Sequence, residues 1–263
     1  SGSLDLYTRD ISDFILETKV DVATYGFDRR YENSGKINTQ GLELNLNYQL
    51  TDSYETGINL STYNTTLEEY VIEEGDIRAN LGSPGQNATN MLLVRPGEMI
   101  GQIWAPRFDG VDADGAPIFG DINGDGQVVA SQDKWNDPDA DFETAGNGIP
   151  TLELGWSNNL NLGNWSVNAF FRGAFGHSLI NTFRAFYEPR LASQSSYNFV
   201  NTDLALPELT VAQFSSLYVE KADFFKLDNL TVAYNFDIAQ GSLINSAQLS
   251  ANVQNAFVIT NYT

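Results

Sequence analysis

Period-two alternation of apolar and polar side chains, sustained over about ten residues at a time, constrains this chain more than any other feature. In segment 41–50, Leu42, Leu44, Leu46, Tyr48 and Leu50 share one face, with Glu43, Asn45, Asn47 and Gln49 on the other. After a polar turn, Thr51-Asp52-Ser53, the pattern resumes with Tyr54, Ile58 and Leu60 opposite Glu55, Asn59 and Ser61. A second pair runs through Leu152, Leu154, Trp156, Leu160 and Leu162, then Gly163-Asn164, into Trp165, Val167, Ala169 and Phe171. Gly-Asn between two such runs signals a two-residue hairpin. A third pair sets Leu230, Val232, Tyr234 and Phe236 against Ala247, Leu249, Ala251 and Val253, and one more strand is expected over Leu4 to Leu16. No stretch reads as a long amphipathic helix, so the fold class is all-β and antiparallel.

Strands of globular proteins average about five to six residues, whereas about ten are needed to cross a bilayer at a tilt. The polar faces here are rich in Asn, Gln, Ser and Thr, which suits a wet lumen. Tyr48, Tyr54, Trp165, Tyr234 and Phe236 sit beside the short turns, where an interfacial aromatic girdle belongs. The pattern therefore predicts a transmembrane β-barrel segment of about seven strands. The same alternation also fits a large antiparallel sandwich with one solvated face.

Connections alternate between long ones, at 17–38, 65–149 and 177–219, and short ones, at 51–53, 163–164 and 237–246. Outer-membrane barrels pair long extracellular loops with short periplasmic turns. An odd number of strands does not close such a barrel, so residues 1–263 are expected to be part of a single larger barrel domain. Lys226 and Asp228 share parity with Leu230 and Val232, which the pattern accommodates by lifting that end of the strand above the hydrocarbon.

Thirty-four acidic against 14 basic residues give a net charge of −20, although only 18% of residues are charged. With so few bases, nothing neutralises a row of phosphates, and nucleic acid is excluded as a partner. The chain has no cysteine and a single histidine, His177, which removes thiol chemistry, disulfides and imidazole metal clusters. No apolar run exceeds four residues, far short of a membrane helix. No nucleophile–base constellation is visible, so no enzyme is predicted.

Five stretches resemble motifs of one family, the SusC-like (SusC/RagA) TonB-dependent outer-membrane transporters. Residues 33–44 (NSGKINTQGLEL) are similar to the family's N-x-G-x-I-x-N-x-G-x-E-L, with Thr39 and Gln40 standing between the second Asn and the Gly. Residues 120–126 (GDINGDG) resemble its acidic loop, and 171–181 (FRGAFGHSLIN) its G-x-x-G-x-x-I-x-N segment. Residues 219–234 (VEKADFFKLDNLTVAY) resemble V-E-x-A-S-F-x-R-L-x-N-L-T-L-x-Y, and 254–262 (QNAFVITNY) resemble Q-N-L-F-x-I-T-x-Y. The resemblance implies the C-terminal part of a 22-stranded plugged barrel, with the N-terminal plug and the last family strands outside this sequence. It further implies an outer membrane of a Gram-negative bacterium and a SusD-like surface lipoprotein as partner. Energisation by the TonB complex would run through the N-terminal part, and the cargo would be oligosaccharide or peptide. The alternative is a secreted calcium-dependent carbohydrate-binding β-sandwich.

The sharpest chemical motif is Asp121-x-Asn123-x-Asp125-Gly126. Hard cations take oxygen ligands at alternate positions of a tight loop, with Gly at the sixth place. Asp121, Asn123 and Asp125 would give side-chain oxygens and Gln127 its backbone carbonyl to Ca2+. The twelfth position is Gln132 rather than an acid, with Asp133 one residue late. Trp104, Phe108 and Trp135 in the first very long loop, and Arg184 and Tyr187 in the second, are candidates for contact with substrate or lid. The plainer alternatives are that the aromatics form the loops' own core and that Arg184 pairs with neighbouring carboxylates.

Overall fold

A computed structural model of the chain describes residues 1–70, 77–79, 89–131, 134, 137, 139–190, 199–239 and 244–262. Three long strands come first: β1 (Gly2–Lys19), β2 (Arg29–Thr51) and β3 (Tyr54–Tyr70), with a one-turn helix, α1 (Val22–Tyr25), between the first two. The first very long connection holds β4 (Ile77–Ala79), β5 (Leu92–Val94), β6 (Gln102–Pro106), β7 (Phe108–Val111), β8 (Pro117–Phe119) and β9 (Phe142–Asn147). The hairpin β10 (Leu152–Leu162) and β11 (Trp165–Phe175) follows. The second long connection carries β12 (Ser178–Ile180), α2 (Thr182–Tyr187) and β13 (Val219–Lys221), and the chain closes with β14 (Phe224–Phe236) and β15 (Ala247–Thr260).

The seven long strands form one antiparallel sheet in the order β1-β2-β3-β10-β11-β14-β15. The sheet is open, with β1 and β15 at its edges. Cross-strand register converts the sequence alternation into two faces. One face carries the row Leu4–Leu44–Leu60–Leu154 and, beside it, Leu46–Ile58–Trp156–Phe171. These side chains have no core beneath them, and Leu6, the outermost of the series, is 75% exposed. The opposite face is a ladder of amides. Asn45 Nδ2 donates to Asn59 Oδ1 at 2.5 Å, and Asn252 Nδ2 donates to Asn229 Oδ1 and Thr231 Oγ1 at 3.1 and 2.7 Å. Apolar side chains on one face and polar side chains bonded to one another on the other have the pattern of a barrel wall. The ten steps of β10 cover about 33 Å along the strand, or roughly 25 Å of height at a tilt of about 40°. At the short-turn end, Trp165 meets Tyr234 edge-on with centroids 4.9 Å apart, and Tyr234 meets Phe236 at 5.0 Å.

Two expectations change. The region 17–38 is not a loop: β1 and β2 stay paired up to Lys19↔Arg29, leaving only residues 20–28 as the connection. Alternation already fades on the approach to that region, where the outer face turns polar at Thr8, Asp10, Gln40 and Asn38, while backbone pairing needs no apolar side chains. The paired region of β3 likewise runs on to Tyr70. Second, Lys226 does not share the face of Leu230 and Val232. A register shift between Leu227 and Asn229 leaves Asp228 as an extra residue, so the strand changes phase. Lys226 thereby pairs with Arg172 on the amide face, and its Nζ reaches Asp228 at 2.5 Å and Asn255 Oδ1 at 2.8 Å.

The glycines of the first family-like motif have a steric role. Tyr7 of β1 lies over Gly41 and Phe14 over Gly35, so closely that a Cβ at either position would enter the ring. Above the wall, the two very long connections fold together. Met91, Ile103 and Ala105 from the first pack with Phe214 from the second in one buried cluster. A second cluster, Ala185, Leu209 and Tyr218, packs with Val111. The two connections are one lobe, not two separate loops.

Candidate functional site

The lobe holds most of the sequence-derived candidates. In the loop 121–127 the side chains of Asp121, Asn123 and Asp125 each fold back on a following backbone N–H. Asp121 accepts from Gly124 and Gly126 at 2.6 and 2.8 Å, Asn123 from Asp125 at 2.9 Å, and Asp125 from Gln127 at 2.7 Å. Gly124 and Gly126 take positive φ (78° and 84°), which these tight turns require. The residue that fixes the loop to the lobe is one sequence reading missed. Asp141, fully buried, accepts from Ile122 (2.6 Å), Asn123 (3.3 Å) and Val129 (2.7 Å). Burial alone pushes its carboxyl up, but the three N–H donors outweigh that and hold it below its ordinary value. Among the described residues no group of three or more Asp, Glu or His side chains gathers as a metal-ligand set. Asp133 and Trp135 lie outside the described residues.

The contact candidates divide. Trp104, on β6, stacks on Phe142 at 6.4 Å with the Arg95 guanidinium 4.9 Å over its ring, so it serves the lobe's own packing. Phe108 pairs with Phe119 across the β7–β8 hairpin, and its backbone N–H donates to Ser216 Oγ at 2.9 Å. Tyr187 sits between Phe183 and Phe186, with centroids 4.5 and 4.8 Å away, and Phe183 is 55% exposed.

Arg184 is corrected as a contact residue. It is 2% exposed, with Nε on Glu188 at 2.7 Å and Nη1 on Glu220 at 2.6 Å, and its fork is satisfied internally. Thr202 also donates to Glu188, and Asn181 Nδ2 donates to Glu220 at 3.1 Å. Burial lowers the Arg184 pKa, but the two carboxylates more than restore it, and the net direction is up. The i,i+4 spacing of Arg184 and Glu188 on a helix was the available signal for this pair. Glu220, 36 residues away, had none.

Between the wall's amide face and the underside of the lobe runs a groove of about 860 Å³. Its lining includes Asp5, Glu43, Glu153 and Arg172 from the sheet, and Pro150 and His177 from the lobe's edge.

No protein-family model matches the sequence. Two curated proteins of Formosa agariphila, the TonB-dependent receptors P3 and P39, are each 24% identical over 99% of this chain. Among solved structures, the RagAB peptide importer in its closed-closed state superposes over 99% of the chain with a TM-score of 0.76 at 18% identity. Its open-open state gives 0.71 at 19%. The fold is that of a SusC/RagA-like TonB-dependent transporter barrel wall. The chain spans 28% and 30% of the lengths of the two Formosa receptors, and 30% of that closed-closed RagAB chain. Both families of comparison cover the wall and the lobe together, so the long connections belong to the shared fold as much as the strands do.

Proposed function

We propose that this chain forms part of the barrel wall and the extracellular lobe of a TonB-dependent outer-membrane importer of glycans or peptides. The observation that carries this reading is the pair of faces on the seven-stranded sheet, one apolar without a core and one laddered with amides. In this reading the outward face meets outer-membrane lipid, and the lobe contacts cargo and a SusD-like surface lipoprotein. Energy comes from the TonB complex through an N-terminal part. Tyr187 with the exposed Phe183, and Phe108, are the lobe's candidates for contact with cargo or lipoprotein; no catalytic step is assigned to any residue. The test is fractionation of the native polypeptide in its own cells. Recovery in the detergent-extracted outer membrane, with the lobe cleaved by protease added to intact cells, is expected. Recovery in the soluble fraction without detergent would sink the reading in favour of a secreted sandwich.

We further propose that Asp121, Asn123, Asp125 and the Gln127 carbonyl hold Ca2+, with Asp133 as the closing acid. The donor set is all oxygen, as a hard cation demands, and the Asx turns already curl the loop to the required tightness. Millimolar calcium should slow proteolysis of segment 121–141 in the native protein, and Asp121→Ala should remove that protection. Equal cleavage with calcium and with a chelator would exclude the site.

A further inference from the structure

We propose that the groove beneath the lobe selects an oligomeric cargo that bears a primary ammonium group, drawn in by the row of carboxylates on Asp5, Glu43 and Glu153. This rests on the transporter-wall reading and names the chemistry that the wall selects. The three acids stand in one cross-strand row of the amide face: Asp5 opposite Glu43, Glu43 opposite Ser61, Ser61 opposite Glu153. Like charges placed directly opposite destabilise a sheet. Among the described residues no lysine or arginine forms an ion pair with any of the three. Two bases of the same face, Arg172 and Lys226, lie one row below and converge on Asp228, at 3.5 and 2.5 Å. The row is thus a local repulsion that no ion pair in the described chain neutralises, Arg172 in the same groove being directed to Asp228, and a cation from outside would relieve it.

The roof supplies a second, separate observation. The His177 side chain is 9% exposed and lines the groove, yet its Nδ1 makes no hydrogen bond. The nearest carboxylate oxygen, on Asp223, is 3.9 Å away, beyond bonding distance. A buried imidazole nitrogen without a partner is costly unless a bound group or the water it brings completes it. Asp5 and Glu153 are separated by three strand spacings, about 14 Å. That is too far to share a single metal ion and suits an extended ligand bearing an amine. The groove lies at the lobe end of the wall, because Glu153 is the second residue of β10 and Pro150 closes the same groove. A molecule arriving from the lobe side would meet it early.

The amine could belong to a peptide or to an amino sugar, and the test separates them. The native polypeptide, purified from outer membranes in detergent, is titrated with trialanine and N-acetyl-trialanine, and with chitotriose and triacetylchitotriose. At least one free amine should bind roughly tenfold more tightly than its acetylated form, and whichever pair shows the difference identifies the source. The isosteric double change Glu43→Gln, Glu153→Gln should abolish that preference without lowering the melting temperature, since it removes the repulsion. Equal binding of amine and acetylated forms, no binding of either amine, or an unchanged preference in the double variant would each overturn the proposal. Failure of the transporter reading itself would appear separately, as absence of the polypeptide from the outer membrane.

Discussion

The lower and upper halves of the same strands obey opposite rules. Near the short turns, β2 and β3 point Leu46 and Ile58 outward and Asn45 and Asn59 inward. Nearer the lobe, the outward positions are Gln40, Asn38 and Asn64, while the inward series becomes Gly41, Ile37 and Leu67, the last 1% exposed. No residue is inserted where this inversion happens; the strand keeps its phase and only the solvent changes. Lipid outside and water inside give way to water outside and a protein core inside. On the transporter reading proposed above, one continuous strand serves as membrane wall and as scaffold for the lobe, and the boundary lies near the row Leu6–Leu42–Thr62.

The contrast can be broken from either side. The largest effect is expected from Arg184→Ala, which strands Glu188 and Glu220 in the lobe and should cost about 3–5 kcal/mol. Protease should then cut within 176–223, while the heat-modifiable mobility of the barrel in gels stays unchanged; loss of both would show that wall and lobe are one cooperative unit. Next comes a charge on the lipid face. Leu46→Arg should destabilise the wall by about 2–4 kcal/mol in bilayer refolding titrations, whereas Gln40→Arg, six residues up the same face, should stay within about 0.5 kcal/mol. Equal penalties would move the boundary.

The smallest effect concerns Asp141. Its carboxyl is held below the usual 3.8 by three backbone donors that outweigh its burial, so it binds its proton less readily folded than unfolded. Its contribution is complete above that value and is lost as pH falls through the depressed folded value. Protection from hydrogen exchange in 121–129, relative to the intrinsic rate at each pH, should therefore fall only below about pH 3.8, and Asp141→Asn should show the reduced protection already at neutral pH.

The wall was legible in the sequence because lipid on one side and water on the other impose a period of two, which Leu42 to Leu50 keep without exception and Leu152 to Leu162 break only at Asn158. What alternation could not show was the point where the outer solvent changes, which is why 17–38 reads as loop although most of it is paired strand. A single bulged residue, Asp228, defeats parity for the same reason: it shifts phase without leaving a compositional mark. The candidate site was legible only in part. Asp121, Asn123 and Asp125 announce a tight oxygen-rich loop by spacing, whereas Asp141, Glu220 and the Asp5–Glu43–Glu153 row owe their positions to contacts distant in sequence. No local pattern encodes such neighbours; they follow from strand register.

The shared core of the two long connections has a mechanical consequence. Phe214 of one is seated among Met91, Ile103 and Ala105 of the other, and the pair is tied to the wall where β3, β10, β11 and β14 leave it. Those four strands are neighbours in the sheet, so the tethers fall along one line. Neither connection can swing alone without tearing the cluster. A force applied to either is carried to both, and through the backbone bonds that join Gly97, Glu98 and Ile100 to Leu67 and Thr65 it passes straight into the strands of the wall.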